Sequence, residues 1–422
     1  MPEREKHRPA ARPVYELAPA RRFRVAVKLY SAVVALLFSV FFLVAGNALA
    51  GLIVPLRANI AGFPGLSIGF LGSAYFAGML GGTLAAPAIV RRAGHIRAFS
   101  AFVAGSSAIV ILYPLLISPA AWLVLRGGLG FAFAGVYGVT ESWINSKASN
   151  ANRGGLYAIY QIVTYAASAC GQLLLTLAAP TSYELFSISG ILLALAVVPL
   201  AMTTVEPPLE PKTVRIRLAW LAHLSPVAAV AAVAVGAANG AVWALGPVYA
   251  LGLGIRPEAV PWFTTAIIVG SAIGVYPAGR LSDHFDRRIV IVVVAGIGAL
   301  LEAALWRHQG GGNMLVGLGF AVGVTTFALY TLAISHANDR ASADELMLIS
   351  SSMLFLYCIG AILAPALAAA MMRLFGPSAL FAQNALVHLG LAAFTLSRVM
   401  VQRAAPAAAQ RSPADRAEPG VP

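Results

Sequence analysis

The chain has 422 residues, 59% of them apolar and only 11% charged, with a formal net charge of +13. A soluble protein of this length carries about 25% charged residues, so this composition excludes an ordinary water-soluble domain. Its two cysteines, Cys170 and Cys358, both fall inside apolar runs and exclude a disulfide framework.

Residues 1–26 are polar and basic, and no short apolar core with a cleavage site follows them closely, so no cleavable signal peptide is expected. Beyond this tail, apolar runs of about 20 residues recur, each long enough to cross a hydrocarbon core as a helix. Lipid offers no partner to backbone N–H and C=O groups, so spanning segments must be helices or a closed barrel. Period-2 alternation is absent, which leaves helices. Twelve are expected, near 27–55, 65–90, 97–117, 120–146, 154–178, 183–203, 221–251, 258–281, 288–307, 313–336, 345–373 and 377–400. The expectation is therefore an all-α integral membrane fold. It has a cytoplasmic basic tail (1–26), an N-terminal six-helix bundle (27–203), a cytoplasmic linker (204–220), a C-terminal six-helix bundle (221–400) and a disordered cytoplasmic tail (401–422). The linker contains VEPPLEPKTVRIRL, whose Pro pairs and mixed charge break the apolar pattern.

Orientation follows from Lys and Arg. With both termini on one side, 24 of the 29 basic residues fall on that side. Only Arg57, Arg256, Arg307 and Arg373 fall on the other, and Arg126 lies within a span. By the positive-inside rule both termini are cytoplasmic. The basic loops then face anionic headgroups, so the net charge does not point to nucleic acid.

The two halves repeat. At an offset of 192, Asn47 falls on Asn239, Pro55 on Pro247, Gly78 on Gly270 and Gly82 on Gly274. At an offset of 189, GLGFA at 128–132 falls on GLGFA at 317–321 and Gly171 on Gly360, which places a three-residue change between spans three and four. Six spans per half give both halves the same orientation, a parallel repeat about the membrane normal as found in one large class of secondary transporters.

The densest charge in the second half is GRLSDHFDRR, 279–288, expected as the loop between spans eight and nine. It resembles the signature loop of the major facilitator superfamily, G-x-L-x-D-R/K-x-G-R-R/K, at Gly279, Leu281, Asp283, Arg287 and Arg288. His284 stands where a basic residue is usual. Asp286 replaces a glycine, a swap expected to be tolerated because Asp accepts left-handed backbone better than most residues. The first-half counterpart, PAIVRRAGHIR, keeps Gly94 but has Arg91 at the Asp position. ESWINSKASNANRGGLYAIY and the Gly-Gln at 171–172 are similar to the YcaD-like bacterial branch. The resemblance covers about residues 27–400. It implies two pseudo-symmetric six-helix bundles and a secondary transporter in the bacterial inner membrane, with alternating access and proton coupling.

Ionisable residues within spans are costly and mark candidate sites. Arg126, in RGGLG, resembles the R-x-x-x-G motif of proton-linked facilitators; the alternative is an arginine snorkelling to the headgroups. Glu141 lies roughly 22 Å along the same helix, too far for a direct pair, and is expected at a cytoplasmic gate or carrying a proton. Glu302, His336 and His388 read as structural. The resemblance places spans one and seven at the central cavity, so Asn47 and Asn239 are expected there, with Tyr160, Tyr165, Gln172, Trp243, Tyr330 and Tyr357 completing the lining. Drug/proton antiporters carry a Gly-Pro signature on span five; AASACGQLLL has no proline there. The absence of a mid-membrane acid argues against cationic substrates, and one buried arginine is compatible with an anionic or amphipathic organic solute.

At the cytoplasmic ends a charge-swapped gate is expected. Arg91 or Arg92 would face Asp344 or Glu345, and Asp283, with Arg287 in the same loop, would face Arg153. No histidine spacing suits a metal, no Walker-type motif suggests ATP, and no cofactor is implied. The expected partners are a small-molecule substrate, protons and the bilayer, with a monomeric protein. The alternatives are a non-transporting receptor or scaffold on the same fold and, with less support, a membrane enzyme.

Overall fold

The computed structural model describes residues 19–147, 153–202 and 216–404. Every regular element among the described residues is helical, and twelve helices are long and apolar enough to cross a membrane. They are α1 (Pro19–Ile60), α2 (Gly65–Ala93), α3 (His95–Leu112), α4 (Pro119–Lys147), α5 (Arg153–Leu173) and α6 (Glu184–Ala201) in the first half. The second half has α7 (Pro226–Gly252), α8 (Val260–His284), α9 (Arg287–Arg307), α10 (Asn313–Asn338), α11 (Leu346–Phe375) and α12 (Ala379–Ala404). Most of the linker and of both tails lie outside the described residues.

Local chemistry explains where the expected boundaries moved. Residues 221–251 are not one span. A short helix, Leu218–Leu224, stops at Ser225, and α7 starts at Pro226. Proline has no N–H to offer an earlier turn and suits the first helical position, and the Ser225 hydroxyl accepts from the Ala228 N–H as N-cap. The signature segment is mostly helix rather than loop: α8 continues to His284, leaving only Phe285 and Asp286 between the spans. Asp286 does not adopt left-handed backbone. Its φ is −54°, and its carboxylate caps α9 by accepting from the Arg288 N–H at 2.9 Å. The paired Arg288 guanidinium, followed by that N–H bond, draws the Asp286 carboxyl down to about 2. At the equivalent position of the first half, Gly94 has φ +81°, a conformation that favours glycine. One repeat position is thus solved by a cap in one half and by a left-handed turn in the other.

Inside each bundle, backbones touch. A Cβ on Gly78 or Gly82 would lie within 2.3 Å of the Gly127 or Phe131 carbonyl oxygen of α4, and one on Gly270 or Gly274 within 2.1 Å of the Phe320 or Val324 oxygen of α10. Gly130 against Tyr75 and Gly323 against Ile267 repeat the arrangement. These pairings relate α2 to α8 by 192 residues but α4 to α10 by 193. The shared GLGFA string, offset by 189, is therefore one helical turn out of the packing register.

The bundles meet through α2 with α11, α5 with α8, and α1 and α2 with α7. The tightest interbundle seam lies at the end opposite the chain termini. There a Cβ on Gly69 would fall 2.6 Å from the Pro365 carbonyl oxygen, and one on Gly72 2.3 Å from the Ala244 Cβ. We call that end the far side and the other the terminal side.

The second bundle also carries a fully buried polar staple. His388 Nδ1 of α12 lies 2.7 Å from Glu302 Oε2 of α9, both side chains at most 1% exposed. Removing one member of such a pair leaves the other buried without its partner, at a cost on the order of 3 kcal/mol. His388→Leu should therefore lower the melting temperature of the detergent-purified protein sharply. The double variant Glu302→Leu/His388→Leu should recover most of the loss; equal melting of single and double variants would show that the pair is not coupled.

Candidate functional site

A cavity of about 330 Å³ lies between the two bundles near mid-height, within the range of small-molecule sites. Its first-bundle wall carries the polar groups. Asn47 of α1 donates from Nδ2 to the Tyr75 hydroxyl of α2 at 3.4 Å. The Arg126 guanidinium carbon of α4 sits 4.7 Å from the centre of the Tyr75 ring, a cation–π distance. Gln172 of α5 lies on the same wall. The second-bundle wall is aromatic, with Trp243 of α7, Phe327 of α10 and Tyr357 of α11. Trp243 and Phe327 pack edge to face at 6.5 Å.

Arg126 does not snorkel. It is 7% exposed, lines the cavity, and has no hydrogen-bond partner at Nε or Nη1. No carboxylate among the described residues lies within ion-pair distance of it. The cavity lining contains no Asp or Glu.

Of the residues expected at the cavity, Asn47, Arg126, Gln172, Trp243 and Tyr357 line it. The other four do not. Asn239 is 1% exposed and lies behind Tyr357. The cause is the pair of glycines beside it: a Cβ on Gly236 would meet the Tyr357 carbonyl at 2.0 Å and one on Gly240 the Ala361 Cα at 2.7 Å, so α11 presses directly onto that face of α7. The repeat symmetry with Asn47 ends there. Tyr330 stands edge-on to Tyr357 at 5.6 Å and Tyr165 edge-on to Phe327 at 6.3 Å; both back the wall. Tyr160 is buried nearer the terminal side of α5. Sequence reasoning missed Tyr75, Phe76 and Tyr137. The spacing of Gly72, Tyr75, Phe76 and Met79, three and four residues apart, puts them on one helix face, and that was the available signal.

The residues expected at the gate lie at the terminal side, where they are not brought together. Arg91, Arg92 and Asp344 are exposed, and no ion pair joins the two arginines to Asp344 or Glu345. Glu345 is occupied in a capping box, accepting from the Ser342 N–H at 3.0 Å and its hydroxyl at 2.9 Å. Those bonds hold its carboxyl below the ordinary value. Arg287 pairs within its own bundle, at 2.6 Å with Asp339 and 3.8 Å with Asp283. The Arg153 side chain lies outside the described residues. Glu141 is exposed, and it interacts electrostatically with Tyr160 of α5 and Tyr330 of α10, which places it on the face of α4 toward the second bundle. No group of three metal-ligating side chains occurs among the described residues.

Comparison with known proteins accords with this architecture. The family model of the Major Facilitator Superfamily matches residues 228–419. The uncharacterised MFS-type transporter YcaD of Escherichia fergusonii is 26% identical over 355 residues, covering 83% of this chain and 91% of that protein. YcaD of Shigella flexneri is 27% identical over 363 residues, with the same shares covered. Among solved structures, the nucleoside transporter NupG superposes with a TM-score of 0.71 at 11% identity, over 87% of this chain and 98% of that one. A bacterial homologue of the human lysosomal transporter Spinster, inward-facing and occupied, gives 0.67 at 15% identity, over 96% of this chain and all of the other. Twelve spans, two bundles with glycine-packed cores, a cavity between them, a second half that matches the family model and a sequence similar to YcaD over 83% of the chain all point the same way: the chain resembles the membrane transporters of the major facilitator superfamily.

Proposed function

We propose that the protein is a secondary active transporter that carries a small organic solute across the bacterial inner membrane by alternating access, coupled to protons. The observation that supports this best is the cavity: it lies between two bundles that are each rigidly packed, and it is closed off toward the far side by the Gly69 and Gly72 seam. The bias of Lys and Arg supports a cytoplasmic terminal side, and on that reading the seam closes the cavity toward the periplasm. The test is solute counterflow in proteoliposomes with a defined mixture of organic acids, nucleosides and amino acids; a receptor or scaffold on this fold would exchange none of them.

Alternating access requires the far-side seam to part. Gly72→Val puts a branched side chain where a single Cβ already meets Ala244 at 2.3 Å. Spin labels at Ala61 and Leu253 should move apart in this variant, and an unchanged distance would rule out the seam as a gate.

Glu141 is the group to which we assign the coupled proton, since Glu302 is closed off with His388 while Glu141 is exposed toward the other bundle. Glu141→Gln should exchange solute at equal pH on both sides yet lose accumulation driven by a pH gradient. Gradient-driven accumulation at the native level would remove Glu141 from the coupling.

In the state sealed toward the cytoplasm, Arg91 or Arg92 meets Asp344 or Glu345, and Asp283 meets Arg153. Asp344 is the better first partner because Glu345 already serves its capping box. Exposed pairs are worth only about 0–1 kcal/mol each, enough to tilt two states of similar energy. Arg91→Glu should raise labelling of cytoplasm-facing cysteines, Asp344→Arg should restore it, and Glu345→Arg should rescue less. No change in labelling with Arg91→Glu would remove the gate.

A further inference from the structure

We propose that the cavity selects organic monoanions with a flat apolar body: the anionic group is held by Arg126 on the first bundle and the body by Trp243, Phe327 and Tyr357 on the second. The inference rests on the transport reading above and names its substrate class.

Arg126 stands seven residues into α4, roughly 10 Å along the helix from its far-side end. It is 93% buried by its 7% exposure. Its guanidinium is a fixed positive charge inside the membrane. Such charges ordinarily have a paired acid, and no described residue supplies one. The Tyr75 ring at 4.7 Å offsets part of the cost, but a ring face accepts no N–H bond in the plane of the guanidinium. Two donors, Nε and Nη1, complete no hydrogen bond, and the Tyr113 hydroxyl near the guanidinium is a neutral group that brings no negative charge. The unliganded site is therefore short of one negative charge and of acceptor oxygens, and a carboxylate or a similar oxyanion supplies both.

The opposite wall sets the rest of the molecule. Trp243, Phe327 and Tyr357 offer ring faces and edges, and their surroundings carry no charge. A sugar-like solute would leave its hydroxyls unpaired against them, whereas an aromatic or alicyclic body packs there and loses no hydrogen bond. A cation is repelled by Arg126 and meets no acid in the lining. Asn47 and Gln172 add short-range polar choice near the anionic end. Because the two halves of recognition belong to different bundles, the solute bridges them.

The test is direct binding to the full-length protein in detergent, read by calorimetry and by Trp fluorescence. The probes are benzoate, cinnamate and 1-naphthoate, each beside its primary amide, with chloride and sulfate as controls. At least one carboxylate should bind tenfold or more tightly than its amide, and neither inorganic ion should compete at equal concentration. Arg126→Gln should erase the preference, so that each carboxylate and its amide bind within about twofold of one another. Arg126→Lys should recover only part, because an ammonium does not reproduce the planar donor set. Equal binding of acid and amide by the native protein overturns the proposal without recourse to any variant. So does a preference that survives in Arg126→Gln, competition by chloride or sulfate alone, or failure of all three carboxylates to bind. Flux of neutral solutes with no carboxylate binding would leave the transport reading intact and remove this one; carboxylate binding with no flux of any solute would do the reverse.

Discussion

Direct backbone contact at glycine is the interaction on which the rest depends. Lipid tails are as apolar as leucine, so helices inside a membrane gain little from hiding apolar surface from one another and associate through close packing instead. In this chain that packing reaches the limit: the carbonyls of α4 and α10 occupy the space where side chains of α2 and α8 would otherwise stand. Each bundle is consequently a body with little freedom to deform. What freedom remains lies between the bundles, and the cavity sits there.

Three ionisable groups inside the spans show three solutions to the same cost. Glu302 is matched by His388 and closed off from everything else. Arg126 has an aromatic face in place of an acid. Glu141 stands on the interbundle face of α4, near Tyr160 and Tyr330. Only the first has a titratable partner within hydrogen-bond distance. The other two stand between the bundles, at the cavity and at the face of α4 toward the second bundle.

The span count, the all-helical class and the family resemblance were legible because they depend on the length of apolar runs and on one short charged motif. Lateral detail was harder to read. Asn47 and Asn239 are equivalent in sequence, yet Gly236 and Gly240 bring α11 so close that only Asn47 reaches the cavity. Which face of α7 would be covered depends on a partner more than a hundred residues away. GLGFA misled for a related reason: identical strings need not occupy identical packing positions when a helix can slide by one turn and still find glycine. Asp286 was legible as a tolerated replacement but not as a cap, because a motif position gives the residue and not the backbone angle. The aromatic wall was partly legible: Trp243 and Tyr357 were expected there, while Phe327 was hidden in an apolar run with nothing to distinguish it.

The far-side seam is built from Gly69, Gly72, Ala244, Pro365 and Ala369, none of which bears a charge. Ions in the medium have nothing to screen at that contact, so the work of parting it is the same in dilute and in concentrated buffer. The opposite end presents exposed arginines and acids, whose mutual attraction fades over a Debye length of about 8 Å at physiological ionic strength. Dissolved salt therefore weakens contacts at the terminal side and leaves the apolar seam itself untouched, so the resting balance between the two ends shifts with the ionic strength that bathes the terminal side.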